Sequence, residues 1–182
     1  NIAKEKYSMI VGHALEYLEN VDEGSFDTVL CLGMLYYTTE PYRLLKLMLR
    51  AAKETVILDT FTAAYAAIQG KEAPQVYESV NEETLKLPIL LTALTQPEKK
   101  DYTLPHSFDY RSKDLSLITL PSAELLEIWF QSLNAQFNKM DWSTYGTRPC
   151  TYHDLLTPDQ KKSSHWADVY TSGIRVSYLL HK

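Results

Sequence analysis

The sequence predicts an α/β fold built around a largely parallel sheet. Two apolar runs rich in strand-forming residues, Phe26–Leu32 and Thr55–Phe61, flank a segment with helical periodicity. A strand, a crossover helix and a second strand form a βαβ unit, which favours parallel strands joined by a right-handed connection. A further apolar run, Arg175–Leu180, predicts a last strand close to the end of the sequence.

The composition fits one globular domain and excludes several other classes. The chain has 182 residues, of which 45% are hydrophobic and 23% are charged. This mix excludes a disordered tail, a collagen-like fibre and a coiled-coil rod. No apolar run reaches the roughly 18 residues of a membrane span, so no membrane partner is expected. The net charge of −5 argues against a protein that coats nucleic acid.

The two cysteines, Cys31 and Cys150, lie in unlike surroundings and form no framework of spaced pairs. We interpret both as free thiols and expect a cytoplasmic protein. No signal peptide is visible at the N-terminus. The chain starts at Asn1 rather than at Met, so we expect a piece of a longer protein or a trimmed chain.

The first elements follow from short apolar patterns. Ser8–Val11 is predicted as a strand, and Ala14–Val21 as a short helix with Leu15 and Leu18 on one side. The continuous apolar run Phe26–Leu32 is typical of a strand buried on both faces.

Pro41 suits the first turn of a helix that runs to Ala52. Its leucines fall on one face, which predicts a core contact. The basic residues fall on the other face, where we expect solvent; they are Arg43, Lys46, Arg50 and Lys53.

Residues 62–114 interrupt this pattern and are interpreted as an insertion or lid. A helix is predicted from Asn81 to Thr95, with a kink or a split at Pro88. Aromatic side chains of this segment could line a bound acceptor: Tyr65, Tyr77, Tyr102, Phe108 and Tyr110.

Regular structure is expected again from Leu117. Ser122 is the predicted N-cap of a helix whose apolar residues recur at helical spacing. A strand is predicted over Gln136–Trp142.

The residues after Leu32 are the candidates for a binding site. Ligands of open α/β sheets lie outside the carboxyl ends of the strands. Gly33 would let a flat ligand approach the backbone, and Tyr36 and Tyr37 offer ring faces and hydroxyl groups. The alternative interpretation is that this segment is only a loop with packed tyrosines and binds no ligand. The five histidines have no metal-ligand spacing, so no metal site is predicted.

Three segments resemble class I S-adenosylmethionine-dependent methyltransferases. CLGMLYYTTEP, followed by a leucine-rich helix and ETVILDTF, is similar to the middle of that family. LITLPSAELLEIWF and SGIRVSYLLHK resemble one branch, which contains tRNA wobble-uridine (carboxy)methyltransferases and relatives that modify small molecules.

The resemblance implies a Rossmann-like methyltransferase sheet with parallel strands and a C-terminal antiparallel strand. It implies a single domain over residues 1–182, incomplete at its N-terminus, with a helical insertion over 62–114. The glycine-rich loop that holds the methionine end of the cofactor in this family is absent from the sequence.

The resemblance also implies a cofactor site for S-adenosylmethionine or a carboxylated derivative. His13 and Ala14 match the turn beside the adenine, although the family usually has an acidic residue at His13. Leu32 and Gly33 match the strand end on which the cofactor lies. Tyr36 matches the tyrosine of the "LYH" motif.

Two further residues are candidates for substrate binding. Tyr37 replaces the usual histidine of that motif, and Arg175 matches the arginine of the last strand. The alternative interpretation of Arg175 is an ordinary arginine at the edge of a strand, without a role in ligand binding. No residue is assigned as a catalytic base.

The expected function is therefore an S-adenosylmethionine-dependent methyltransferase with a small-molecule acceptor. Modification of the tRNA wobble uridine is one alternative, and a degenerate domain that binds a partner without catalysis is another. A homodimer is an open alternative to a monomer.

Overall fold

The computed structural model describes residues 6–65, 82–95, 107–110, 113–143, 168–171 and 173–182. These residues form two β-sheets and five α-helices. The helices are α1 (Ala14–Glu19), α2 (Pro41–Ala51), α3 (Glu82–Leu85), α4 (Ala123–Ser132) and α5 (Asp168–Thr171). The strands are β1 (Phe26–Leu32), β2 (Ala52–Phe61), β3 (Leu90–Thr95), β4 (Ser107–Tyr110), β5 (Lys113–Pro121), β6 (Gln136–Lys139) and β7 (Arg175–His181).

The larger sheet has the strand order β1-β2-β7-β6. Strands β1 and β2 are parallel and are connected through α2, as the βαβ pattern predicted. Strand β7 is antiparallel to both of its neighbours, β2 and β6. It follows that β6 runs in the same direction as β1 and β2. The prediction of an α/β sheet with parallel strands and a C-terminal antiparallel strand is confirmed.

One face of this sheet carries the main core. Side chains alternate between the two faces of a strand, so every second residue of β1, β2 and β7 points to the same side. Helices α2 and α4 cover that side, and Tyr42 of α2 packs its ring against Trp129 of α4 at 5.6 Å. The most deeply buried members of this core include Leu45, Val56, Leu58, Phe130, Tyr178 and Leu180. Cys31 is buried in the same core as a free thiol.

The opposite face of β1 is open, in contrast to the predicted burial of this strand on both faces. Leu30 and Leu32 are 60% and 57% exposed. Within the described residues, β1 has a single neighbouring strand, and α2 and α4 lie on the other face. The apolar run therefore identified a strand correctly but not its surroundings.

The N-terminal segment differs from the sequence prediction at Ser8–Val11. These residues have no regular structure and are exposed, Val11 to 93%. A strand needs a partner for its backbone groups, and no described strand pairs with this segment. The helix predicted next is confirmed as α1, with Leu15 and Leu18 buried.

Arg50 does not face solvent as its position on the cationic face of α2 predicted. Its guanidinium donates to the carbonyl oxygens of Leu18, Glu19 and Val21, at distances of 2.5, 3.1 and 3.0 Å. The last carbonyl groups of a helix lack partners within the helix. Arg50 supplies those partners and ties the end of α1 to α2.

The helix predicted from Asn81 to Thr95 is wrong beyond its first turn. Helix α3 ends at Leu85, and β3 begins at Leu90. Pro88 between them cannot donate a helical hydrogen bond. The residues that follow pair instead with β5 in an antiparallel ladder.

Strand β5 is the centre of a second, three-stranded sheet with the order β3-β5-β4. Ile118 and Leu120 of β5 form a small buried cluster with Tyr36, and Phe61 and Tyr65 pack against it. The Thr119 hydroxyl donates to the carbonyl oxygen of Thr38 at 2.6 Å. Of these residues, Tyr65 belongs to the predicted insertion over 62–114 and packs beside the tyrosines that follow β1, whereas Ile118, Thr119 and Leu120 lie beyond it. The role of the insertion as a lid stays a prediction.

The predicted helix after Pro121 is confirmed as α4. The Ser122 hydroxyl accepts a hydrogen bond from the backbone N–H of Leu125 at 3.2 Å, which makes Ser122 the N-cap. The following strand, β6, ends at Lys139 rather than at Trp142.

Across the residues that the structure describes, we find no helix with the length and apolarity that crossing a membrane requires.

Candidate functional site

The candidate site lies where the parallel strands β1 and β2 end. Leu32 is aligned with Asp59 in the register of the two strands. The backbone N–H of Gly33 donates to the carbonyl oxygen of Asp59 at 2.8 Å. This hydrogen bond fixes the start of the loop that carries Tyr36 and Tyr37.

Gly33 allows side chains from distant parts of the chain to reach this loop. Its φ of +71° is in the left-handed region that favours glycine. A Cβ atom at this position would lie 3.2 Å from Nη2 of Arg175 and 3.5 Å from the hydroxyl oxygen of Tyr36. The structure thus brings together three of the predicted site residues, while their role in cofactor or substrate binding stays a prediction.

A buried carboxylate, Asp59, holds Arg175 in place. Arg175 donates through Nε to Oδ1 of Asp59, and its Nη2 forms an ion pair with the same oxygen. The hydroxyl groups of Tyr170 and Ser177 both donate to Oδ2 of Asp59, at 2.9 and 2.7 Å. Asp59 is only 7% exposed, and these donors replace the water that it lost on burial.

The Arg175 guanidinium also lies over an aromatic ring. Its central carbon is 4.8 Å from the ring centroid of Phe61, a cation–π geometry. Burial acts to lower the pKa of Arg175, but the hydrogen bond and charge of Asp59 outweigh it, and the pKa is raised. Arg175 therefore remains a fixed positive charge beside Gly33.

Tyr36 is a protonated hydrogen-bonding group rather than a base at neutral pH. Its ring contacts those of Tyr37 and Phe61, with centroids 4.4 and 5.1 Å apart. Burial, followed by the proximity of Tyr37, raises the pKa of Tyr36 above its ordinary value. The geometry assigns no catalytic base.

His13 and Ala14 lie at the start of α1, and both are exposed. Helix α1 is positioned by its contacts with α2. Within the described residues, the side chains that donate to the Asp59 carboxylate are those of Tyr170, Arg175 and Ser177, and His13 and Ala14 are not among these donors. Their predicted place beside the adenine stays a prediction, as does that of the exposed Leu32. Of the aromatic residues proposed to line the acceptor, Tyr77 and Tyr102 lie outside the described residues.

Sequence reasoning missed Asp59, Tyr170 and Ser177. Asp59 did carry a signal, because it is the one charged residue in the otherwise uncharged run Thr55–Phe61. A carboxylate within a buried strand needs partners and therefore points to a site. Tyr170 and Ser177 carried no such signal, since only the pairing of β7 with β2 brings them to Asp59.

A cavity of about 360 Å³ opens beside Arg175. Its wall includes the aromatic residues Trp142 and Tyr170 and the charged residues Lys139 and Asp141. The indole N–H of Trp142 donates to the Ser177 hydroxyl at 3.2 Å, which links this wall to Asp59. No cluster of metal-binding side chains occurs among the described residues.

Comparison with known proteins gives a structural likeness. No protein-family model and no curated protein matches the chain. Among solved structures, the chain is similar to one described as the "Crystal structure of a SAM dependent methyltransferase from Archaeoglobus fulgidus". The sequence identity is 10% and the TM-score is 0.48, with 99% of this chain and 70% of that chain covered.

Proposed function

We propose that this chain belongs to an S-adenosylmethionine-dependent methyltransferase that acts on a small-molecule acceptor. The observation that carries the proposal is the close approach of Arg175 and Tyr36 to the Cβ-free Gly33 at the carboxyl ends of β1 and β2. The antiparallel closing strand β7 between β2 and β6 further supports it, because the resemblance of the sequence implied such a strand.

The residues at this edge suit one part of a cofactor site. Gly33 has no Cβ, so Nη2 of Arg175 and the hydroxyl group of Tyr36 can lie close to its backbone at the strand end. Tyr36 can donate its hydroxyl proton, and Arg175 offers a positive charge to a carboxylate of S-adenosylmethionine or of its carboxylated derivative. The cofactor brings a methyl group on a sulfonium leaving group, so the chain's own residues need mainly to orient the acceptor and exclude water.

The charge of the chain favours a small acceptor over tRNA. The net charge is −5, and the segment from Lys71 to Asp114 holds six basic and eight acidic residues. A tRNA site requires a cationic surface that releases counterions from phosphate groups. Binding of tRNA that weakens steeply with added salt would favour the wobble-uridine alternative instead.

Calorimetric titration with S-adenosylmethionine tests the proposal. We expect the wild-type protein to bind, and Gly33→Ala to bind at least about tenfold more weakly, a loss of about 1.4 kcal/mol. The matched control is Gly24→Ala. Gly24 has a similar φ of +65°, but a Cβ there would meet only the Lys53 Cα at 4.0 Å. Both substitutions therefore carry a similar free-energy cost for an alanine at positive φ. Only Gly33→Ala in addition brings a Cβ atom close to Arg175 and Tyr36.

Two outcomes would contradict this assignment. Equal weakening by both substitutions would mean that Gly33 matters only for its backbone conformation. No binding heat with the wild-type protein would favour the second candidate, a non-catalytic domain that binds a partner. That candidate is supported by one specific observation, because none of the six glycines forms a GxGxG-type loop.

A further inference from the structure

The tyrosines of the candidate site are carried by a single 3₁₀ turn, Leu35–Tyr37. The backbone N–H of Tyr37 donates to the carbonyl oxygen of Met34 at 3.0 Å and closes this turn. Turns of this kind are short and have poor hydrogen-bond geometry, so one turn does not by itself hold its side chains in one orientation. The position of Tyr36 therefore depends on the groups to which the two ends of the turn are bound.

The two ends of this turn are bound to different sheets. Before the turn, the Gly33 N–H donates to the Asp59 carbonyl oxygen of the larger sheet. After the turn, the Thr38 carbonyl oxygen accepts a hydrogen bond from the Thr119 hydroxyl group of the three-stranded sheet, at 2.6 Å. Thr38 and Thr119 are only 7% and 3% exposed. Loss of the Thr119 hydroxyl group would therefore leave a buried carbonyl group without this partner.

Strand β5 gives Thr119 a firm support. Its backbone pairs with β3, where Thr119 is aligned with Thr92. The backbone N–H of Ala63 donates to the carbonyl oxygen of Pro121 at 3.0 Å, which ties the end of β5 to the chain that leaves β2. Strands β3 and β4 both fall within the predicted insertion over 62–114, so part of that insertion holds β5 in place.

Tyr36 lies between β5 and Gly33. Its ring belongs to the buried cluster that contains Ile118 and Leu120, the two neighbours of Thr119 in β5. Its hydroxyl oxygen is 3.5 Å from the position that a Cβ atom would take on Gly33. A shift of the turn would therefore move this hydroxyl group relative to Gly33.

We propose that Thr119 is a positioning residue for the candidate site. Its hydroxyl group holds the Leu35–Tyr37 turn through Thr38 and thereby keeps the Tyr36 hydroxyl group beside Gly33. Thr119 acts through these residues and does not itself bind the ligand. The inference rests on the proposed function for the identity of the ligand, S-adenosylmethionine, and it gives β5 a defined role in that site.

Two matched valine substitutions test the role of the Thr119 hydroxyl group. Thr119→Val removes the hydroxyl group and keeps the β-branched shape that suits a strand. Thr92→Val makes the same change at the aligned, exposed position of β3. In calorimetric titrations with S-adenosylmethionine, we expect Thr119→Val to weaken binding about fivefold, as for the loss of one hydrogen bond, and Thr92→Val to leave it unchanged. Thr119→Ser, which retains the hydroxyl group, should restore most of the affinity.

A spectroscopic measurement follows the turn without a ligand. The protein is labelled with 3-fluorotyrosine, and Tyr36→Phe and Tyr178→Phe identify two of the 13 tyrosine ¹⁹F signals. We expect Thr119→Val to shift or broaden the Tyr36 signal and to leave the signal of Tyr178, which lies in the main core, unchanged. Thr92→Val and Thr119→Ser should leave both signals close to their wild-type positions.

The outcomes separate this inference from the proposed function. The positioning role is overturned by an unchanged Tyr36 signal in Thr119→Val, by equal effects of the two valine substitutions, or by a displaced Tyr36 signal with undiminished affinity for S-adenosylmethionine. If the wild-type protein does not bind S-adenosylmethionine, the proposed function fails, while the ¹⁹F signals still decide whether Thr119 holds the turn.

Discussion

Asp59 and Arg175 are 116 residues apart in the sequence and form an ion pair at the carboxyl edge of the larger sheet. The pair is largely removed from solvent, with side-chain exposures of 10% for Asp59 and 22% for Arg175. Its position places a fixed guanidinium beside both Gly33 and the aromatic cavity.

Asp59→Asn should destabilise the protein by about 2 kcal/mol. The amide keeps the shape of the carboxylate but leaves the Arg175 charge without its counterion. The expected loss in the free energy of unfolding lies between the values for exposed and for fully buried ion pairs. Urea unfolding monitored by circular dichroism measures the change. Asp27→Asn is the control, because Asp27 pairs with Lys53 on the surface at 3.8 Å. Similar midpoints for the two variants would contradict the importance of the buried pair.

The stability should decline at alkaline pH in a way that depends on Cys31. Burial raises the pKa of the Cys31 thiol from 9.0 to about 11. Between these values the unfolded chain loses the thiol proton while the folded chain keeps it, so the stabilising effect present below pH 9 is lost as the pH rises towards 11.

Cys31→Val, which cannot titrate, reveals this contribution. Both proteins are compared in a Cys150→Ser background. The stability of the protein that keeps Cys31, relative to that of the Cys31→Val variant, should fall by about 2 kcal/mol between pH 8 and pH 10.5. Denaturant titrations at several pH values measure the difference. A difference that stays constant over this range would show that Cys31 ionises equally well in the folded protein.

Leu30→Lys should leave the stability within about 0.5 kcal/mol of the wild type. Leu30 is 60% exposed on the open face of β1, so a lysine there keeps its charge in water. Leu58→Lys is the matched substitution on the covered face of the neighbouring strand. It should cost more than about 3 kcal/mol, because Leu58 is fully buried. Chemical denaturation checks both, and severe destabilisation by Leu30→Lys would mean that the open face is covered in the native protein.

Ser122→Ala should cost roughly 1–2 kcal/mol. The Ser122 hydroxyl accepts hydrogen bonds from the backbone N–H groups of Leu125 and Ile89, both at 3.2 Å. It therefore caps α4 and also anchors the segment before β3. Ser132→Ala, at the exposed end of the same helix, should change little, and thermal unfolding compares the two. Equal effects would argue against the capping role.

Local patterns in the sequence predicted much of the larger sheet. The strand and helix segments within Phe26–Phe61 and the Ser122 cap have local signals, which periodicity and capping preferences report directly. The parallel pairing of β1 with β2 then follows from the general preference of strand–helix–strand units. The predicted helix over Asn81–Thr95 failed because β3 forms by pairing with β5, beyond the reach of a local pattern. The apolar run of β1 likewise could not show which of its faces a helix would cover.

The candidate site likewise has one part that the sequence predicted and another part that only the tertiary structure revealed. The sequence by itself determined that Gly33 and Tyr36 follow a strand, since apolar runs and a glycine stop are local properties. Only the tertiary structure decided that Asp59, Tyr170, Arg175 and Ser177 meet there, because the antiparallel pairing of β7 with β2 joins segments more than 110 residues apart. Such pairing is fixed by the burial of the whole sheet face, and no short segment of the chain encodes it.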